Sequence, residues 1–278
     1  ARIPERLDEQ LAALDGDPDA ERAFGIAYAS RQCEQLLAAG APGILAVVKA
    51  NAYGHGDLEV ARTLTAGGVG ILAVATIDEA QRLRSAGIGA RIIVLWGIGP
   101  DEAPAVADLD LEPLVYDERS IEALEATGRT IGVHLKVDTG LGRQGIDPAG
   151  ALMLAARIAR SRSLRLAGTM SHLAVPGEDD AHTEVQLLRL ARVLDSMRSA
   201  GIDPGLVHVS ATGGLLAGGI GFADAIRPGI ALYGLLPDWA ADRDIGLRPA
   251  LSLKALPTKT TRNSCRASRA SPNRRSWR

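Results

Sequence analysis

Eight short apolar runs rich in β-branched residues recur along most of the sequence, with amphipathic stretches between them. The runs are ILAVVKAN (44–51), GILAVAT (70–76), RIIVLWG (91–97), LEPLVYD (111–117), IGVHLKVDT (131–139), LRLAGTMSH (164–172), LVHVSAT (206–212) and AIRPGIALYG (225–234). Strands that are apolar on both faces belong to a parallel sheet covered by helices on each side. Eight of them, alternating with helical patterns such as IDEAQRLRSAG and EVQLLRLARVLDSMRSAG, predict an α/β fold, a (β/α)8 TIM barrel. A doubly wound open sheet would carry a G-x-G-x-x-G turn after its first strand, and that turn is absent.

Composition narrows the class. With 46% hydrophobic residues the chain is neither a disordered polymer nor a disulfide-stapled miniprotein. Cys33 and Cys265 stand far apart without metal-ligand spacing, which suits a reducing compartment. No run approaches the ~20 apolar residues of a membrane span, so the expectation is a soluble cytoplasmic protein. The formal net charge of -2 offers no electrostatic case for nucleic acid or membrane. That balance hides a split, because residues 259–278 hold seven basic residues and no acid. This segment reads as a disordered basic tail, a nucleic-acid-binding arm or the product of a shifted reading frame.

Lysine is the informative residue. Among 31 basic side chains only four are lysines, and just Lys49 and Lys136 precede residue 254. Both fall at the C-terminal ends of predicted strands, where a barrel places its active site. Lys49 follows four apolar residues, and a low-dielectric wall favours the neutral, nucleophilic amine. The later strand ends carry Ser210, Thr212, Gly213 and Gly214, then Arg227, Gly229 and Ile230, whose hydroxyls and amides suit a phosphate. Taken singly, each has a plainer role as a snorkelling lysine or a turn glycine. A Schiff-base lysine, a phosphate cradle and an arginine together point to pyridoxal 5'-phosphate.

AVVKANAYGHG (46–56) resembles the cofactor-attachment motif of the bacterial alanine racemases. The resemblance continues through LKVDTGLGRQG (135–145), SHLA (171–174), HVSAT (208–212), IRPGIALYG (226–234) and RPALSLKA (248–255). It implies a pyridoxal 5'-phosphate enzyme that interconverts L-alanine and D-alanine for peptidoglycan. In it Lys49 holds the cofactor and serves as base on one face of the substrate. Tyr53, Ser210, Gly229 and Ile230 bind the phosphate, Leu95 lines the pocket, and Arg227 faces the pyridine nitrogen with His172 behind it. Arg143 positions the substrate carboxylate beside Lys136, a lysine often carbamylated in this family. His55, His134, His182 and His208 are expected to have no catalytic role.

The family is a head-to-tail homodimer whose second base is a tyrosine in the partner's C-terminal β domain. This sequence has no tyrosine after Tyr233. The resemblance therefore implies a barrel over 1–238, only a remnant of the β domain over 239–255, a basic tail over 256–278 and impaired racemisation. Two other readings remain open on the residues: a single-domain pyridoxal-phosphate carrier and an amino-acid racemase of broader specificity.

Overall fold

The computed structural model describes residue 28 and residues 31–41, 43–218 and 221–250. The basic tail and residues 251–255 of the expected β-domain remnant lie outside the described residues. Seven strands run parallel in chain order: β1 Ala46–Val47, β2 Ile71–Val74, β3 Arg91–Val94, β4 Glu112–Val115, β5 Ile131–Lys136, β6 Leu164–Met170 and β7 Leu206–His208. The eighth expected strand is reduced to two residues. Ala225 bridges His208 of β7, and Ile226 bridges Ile44 just before β1. Leu45 N donates to Ile226 O at 2.9 Å, and Ile226 N to Gly43 O at 2.9 Å, so this pair closes the ring. Main-chain hydrogen bonds continue to Pro228, whose O accepts Val47 N–H at 3.1 Å, and the expected strand 225–234 ends there because Pro228 has no N–H and Ile230–Tyr233 winds into a 3-10 turn.

Helices cover the outside, and their starts follow the sequence. Helix α1 (Lys49–Tyr53) is an exceptional turn, taken up below, and α2 spans Asp57–Ala66. Helix α3 (Ile77–Ser85) opens on a capping box in which Thr76 accepts from Glu79 N. Helix α4 is Ala103–Asp108, and α5 (Glu118–Ala126) is capped by Asp117. Helix α6 (Pro148–Ala159) has Pro148 in its first turn, and α7 (Asp180–Ser199) is capped by Asp179. Helix α8 (Thr212–Leu216) follows β7. Among the described residues no helix is long and apolar enough to cross a membrane.

Strand alternation sorts the core into two clusters. Leu72, Val74, Ile92, Val94, Val133 and Leu135 join the large cluster under the helices. Val47, Ala73, Ile93, Leu114, Met170 and Ala225 form a smaller cluster, as the opposite parity along the strands requires of an inner face. That inner face is not wholly apolar. His134, Lys136 and His208 share its parity and are 0–1% exposed. Room for His134 comes from a register shift between β5 and β6 that sets it opposite Gly168. A Cβ at Gly168 would stand 2.4 Å from His134 Nδ1.

The expected first strand, 44–51, is also shorter than its pattern. Strand β1 ends at Val47, and Ala50, Asn51, Ala52 and Tyr53 all take φ between 53° and 55°. Lys49 thus leaves the strand at the start of a left-handed turn rather than lying within it. Left-handed backbone costs an L-residue roughly 1–2 kcal/mol. Four in succession persist only because surrounding contacts fix them.

Candidate active site

A cleft of about 270 Å³ opens at the C-terminal ends of the strands. Lys49, Tyr53, Leu95 and Arg143 line it on one side, with His172, Arg227, Gly229 and Ile230 completing the wall. These are eight of the ten residues expected from sequence. The other two, Lys136 and Ser210, are not in the lining and are 1% and 0% exposed. Ser210 packs beneath α8, where a Cβ on Gly214 would meet its Oγ at 2.4 Å. Trp96, Gln144 and Met170 also line the cleft and were not anticipated. The first two directly follow Leu95 and Arg143, so their sequence position carried the signal. No residue lining this cleft is acidic, and it holds three cationic side chains. Its field favours an anion.

Burial is the first cause depressing the Lys49 amine, and the Arg143 charge adds to it. Glu79 pulls in the other direction, and Arg227 adds a further downward push. Lys136 is pushed down to about 7 by burial, reinforced by Arg227 and Arg143 and opposed by Asp138. An amine poised there is partly neutral at physiological pH. The alternative strand-end pairing of Arg143 with Asp138 is not what forms. The Asp138 carboxylate accepts the amides of Gly140, Leu141 and Gly142 at 2.9–3.2 Å instead.

Arg227 is 3% exposed and fully engaged at its two terminal nitrogens. Nη1 donates to His208 O at 2.7 Å and to His208 Nδ1 at 2.9 Å. Nη2 donates at 2.9 Å to Ser171 O, to Val209 O and to His172 Nδ1. None of these contacts uses Nε. Burial and Arg143 lower its pKa to about 9, so the guanidinium keeps its charge at neutral pH. That charge in turn fixes its neighbours. Burial, with Arg227 next, drives His172 down to about 2 and His208 well below the imidazole range. Both rings are neutral and must accept at Nδ1, so both carry their proton on Nε2.

The proton order continues down the barrel. With its proton on Nε2, His208 donates to His134 Nδ1 at 2.9 Å. His134 then donates from Nε2 to Glu112 at 3.0 Å. Two Arg91 nitrogens hold the same carboxylate at 2.7 and 2.9 Å. Burial raises the Glu112 pKa, but hydrogen bonds from His134 and Arg91 outweigh it and bring it to about 2. A directional chain thus runs from Arg227 to Glu112, on the inner face of the barrel. His134 and His208, expected to have no catalytic role, hold Arg227 through it. The sequence signal was parity: His134 is two residues before Lys136 and so faces the same way.

Two features of the far wall bear on phosphate. Thr212 Oγ1 is buried with no hydrogen-bond partner among the described residues. Leaving a buried hydroxyl unpaired costs about 1–3 kcal/mol, which a ligand oxygen would recover. The Tyr53 hydroxyl lies against Gly229, where a Cβ would come within 2.3 Å of it. Gly213 and Gly229 present nothing but backbone to the cleft. These residues fit a bound phosphate. No group of three or more metal-ligating side chains occurs among the described residues.

Comparison with known proteins agrees with this geometry. Residues 26–237 match the family model described as alanine racemase, N-terminal domain. The alanine racemase of Treponema denticola is 39% identical over 214 residues, covering 74% of this chain and 56% of the relative. That of Mycolicibacterium smegmatis is 42% identical over 228 residues, covering 78% and 57%. Among solved structures, alanine racemase from Clostridium difficile 630 in complex with cycloserine superposes with a TM-score of 0.75 at 27% identity. It covers 81% of this chain and 64% of that one. The Corynebacterium glutamicum alanine racemase gives 0.73 at 31% identity, with 81% and 65% covered. This chain spans just over half the length of the curated relatives it matches. On the family match, the chain belongs to the alanine racemase family and carries its N-terminal domain.

Proposed function

We propose that this chain is the cofactor-holding part of a pyridoxal-phosphate-dependent alanine racemase acting on L- and D-alanine. The observation that carries the reading is the cleft, where a depressed lysine, a fixed arginine and an unpaired threonine hydroxyl converge. Bound pyridoxal 5'-phosphate supplies an electron sink for the carbanion at the substrate Cα. Lys49 holds the cofactor covalently and takes or returns the Cα proton on one face. Its lowered pKa supports that role, because a general base must be neutral near the working pH.

Thr212, Tyr53 and the backbone of Gly213, Gly229 and Ile230 bind the phosphate. Arg227, with both Nη atoms committed, would have Nε as its remaining donor for the cofactor's ring nitrogen, and its fixed charge would keep that nitrogen unprotonated. Restricting charge delocalisation into the ring discourages side reactions. Arg143 binds the substrate carboxylate. Lys136, near 7 under the charges of Arg227 and Arg143, would add as a free amine to carbon dioxide and release one proton, and the resulting carbamate anion would orient Arg143. A homodimer and a cytoplasmic location belong to the same reading and rest on the resemblance.

The test is the absorbance of the purified 278-residue chain with pyridoxal 5'-phosphate, before and after Lys49→Ala. A visible band that the substitution abolishes supports the reading; a chain without the band refutes it. Conversion of L-alanine to D-alanine by the same chain is expected to be roughly 10²–10⁴-fold below an intact racemase. The sequence as it stands provides no tyrosine beyond Tyr233 for the opposite face. A band with no turnover at all favours the carrier.

A further inference from the structure

The left-handed turn after Lys49 needs something to hold it, and one side chain meets it from another element. Glu79, in the first turn of α3, accepts Ala50 N–H on Oε1 at 2.7 Å. Its Oε2 accepts Ala75 N–H at 2.6 Å and Thr76 N–H at 3.4 Å. A single carboxylate therefore joins the first left-handed residue to the segment that follows β2. The far end of the turn is held independently. Asn51 Oδ1 accepts Asp57 N–H at 3.0 Å, and the Tyr53 ring abuts Gly229 and lies 5.4 Å from the Tyr233 ring.

We propose that Glu79 is a positioning residue for Lys49: its carboxylate clamps the left-handed turn to the end of β2 and so fixes the direction in which the lysine leaves the backbone. Ala50 immediately follows Lys49, so its amide shares a peptide plane with the Lys49 carbonyl. Holding that amide removes the freedom of the peptide unit that carries the lysine. The charge also matters. Glu79 opposes the downward push that burial, Arg143 and Arg227 exert on the amine, while neutral His172 faces it from beyond β6. What Lys49 is positioned for rests on the cofactor reading above. The clamp does not.

The same carboxylate belongs to the capping box of α3, and the test must separate the two roles. Glu79→Gln keeps the side chain's size and one acceptor oxygen, but turns an amide donor either toward Ala50 N–H or toward the N–H groups of Ala75 and Thr76. Thr76→Ala removes the reciprocal half of the cap and leaves the Glu79–Ala50 contact in place. Hydrogen exchange is followed in the peptide spanning residues 49–54. Pyridoxal 5'-phosphate trapped on Lys49 by borohydride, which reduces the C=N linkage to a stable amine, is measured against pH.

For Glu79→Gln, exchange is expected to quicken by about tenfold or more, from the loss of one charge-assisted hydrogen bond. Trapping is expected to slow, with its pH midpoint lowered. Thr76→Ala should match the parent chain in both readouts while unfolding more easily. The clamp is overturned if Glu79→Gln exchanges like the parent, or if Thr76→Ala reproduces its exchange. Failure of the parent chain to trap the probe would refute the cofactor reading alone, because exchange still decides the clamp.

Discussion

Glu112→Ala is expected to destabilise the barrel by about 3 kcal/mol at pH 7: its carboxyl falls from 4.5 to about 2, and at ~1.4 kcal/mol per tenfold in proton affinity that gives about 3.5 kcal/mol before solvent screening. The Glu112 side chain is only 12% exposed, so little of that is lost to solvent screening. Burial keeps His134 neutral, so the contact is a hydrogen bond from an uncharged ring to a carboxylate. Alanine would leave His134 Nε2–H buried without an acceptor and release Arg91. The sign follows from the depressed carboxyl: its contribution is present above the unfolded value of 4.5 and is lost as pH falls through about 2. Urea unfolding of parent and variant at pH 7 should differ by that amount, and the gap should narrow steadily below pH 4.5. Thermal midpoints should separate by roughly 6–12 °C for a domain of this size. A pH 7 difference below about 0.5 kcal/mol, the scale of a neutral surface change, would refute the buried chain as drawn. So would a difference that does not shrink in acid.

Thr212→Val replaces the unpaired hydroxyl by an isosteric methyl. The free chain should be unchanged or up to about 1 kcal/mol more stable, while pyridoxal 5'-phosphate binds about tenfold more weakly in equilibrium titration. Lys136→Met removes a buried amine whose pKa falls from 10.5 to about 7. Charging that amine penalises the native state below pH 7, so methionine should stabilise the chain by about 2–4 kcal/mol at pH 6. The gain should fade as pH rises from 7 to 10.5. A gain independent of pH would show that the amine is not the cause.

The barrel was legible because its signal is local. Strand and helix periods are written residue by residue, and seven ladder strands fall within the predicted runs. The scarcity of lysine singled out Lys49 and Lys136, and strand ends singled out the loops of the cleft. The eighth strand misled, since AIRPGIALYG has a strand's composition but loses its ladder at Pro228. The first run misled in the same way. In AVVKANAY only Asn51 is of a type that favours left-handed backbone, and no glycine stands where four L-residues adopt it.

The sequence by itself determined the alternation, the charge pattern and the residues at the mouth, because each depends on neighbours along the chain. Tertiary structure alone decided that Glu79 meets Ala50, that Tyr53 rests on Gly229, and that His134 meets His208 across 74 positions. The first and third join segments from neighbouring or next-neighbouring strands, whereas Tyr53 reaches Gly229 across the seam where the ring closes through Ala225 and Ile226. On the inner face of the barrel, His134 and His208 find their partners on other strands, as most buried polar groups must. The fixed charge of Arg227 then dictates which nitrogen of each ring bears the proton.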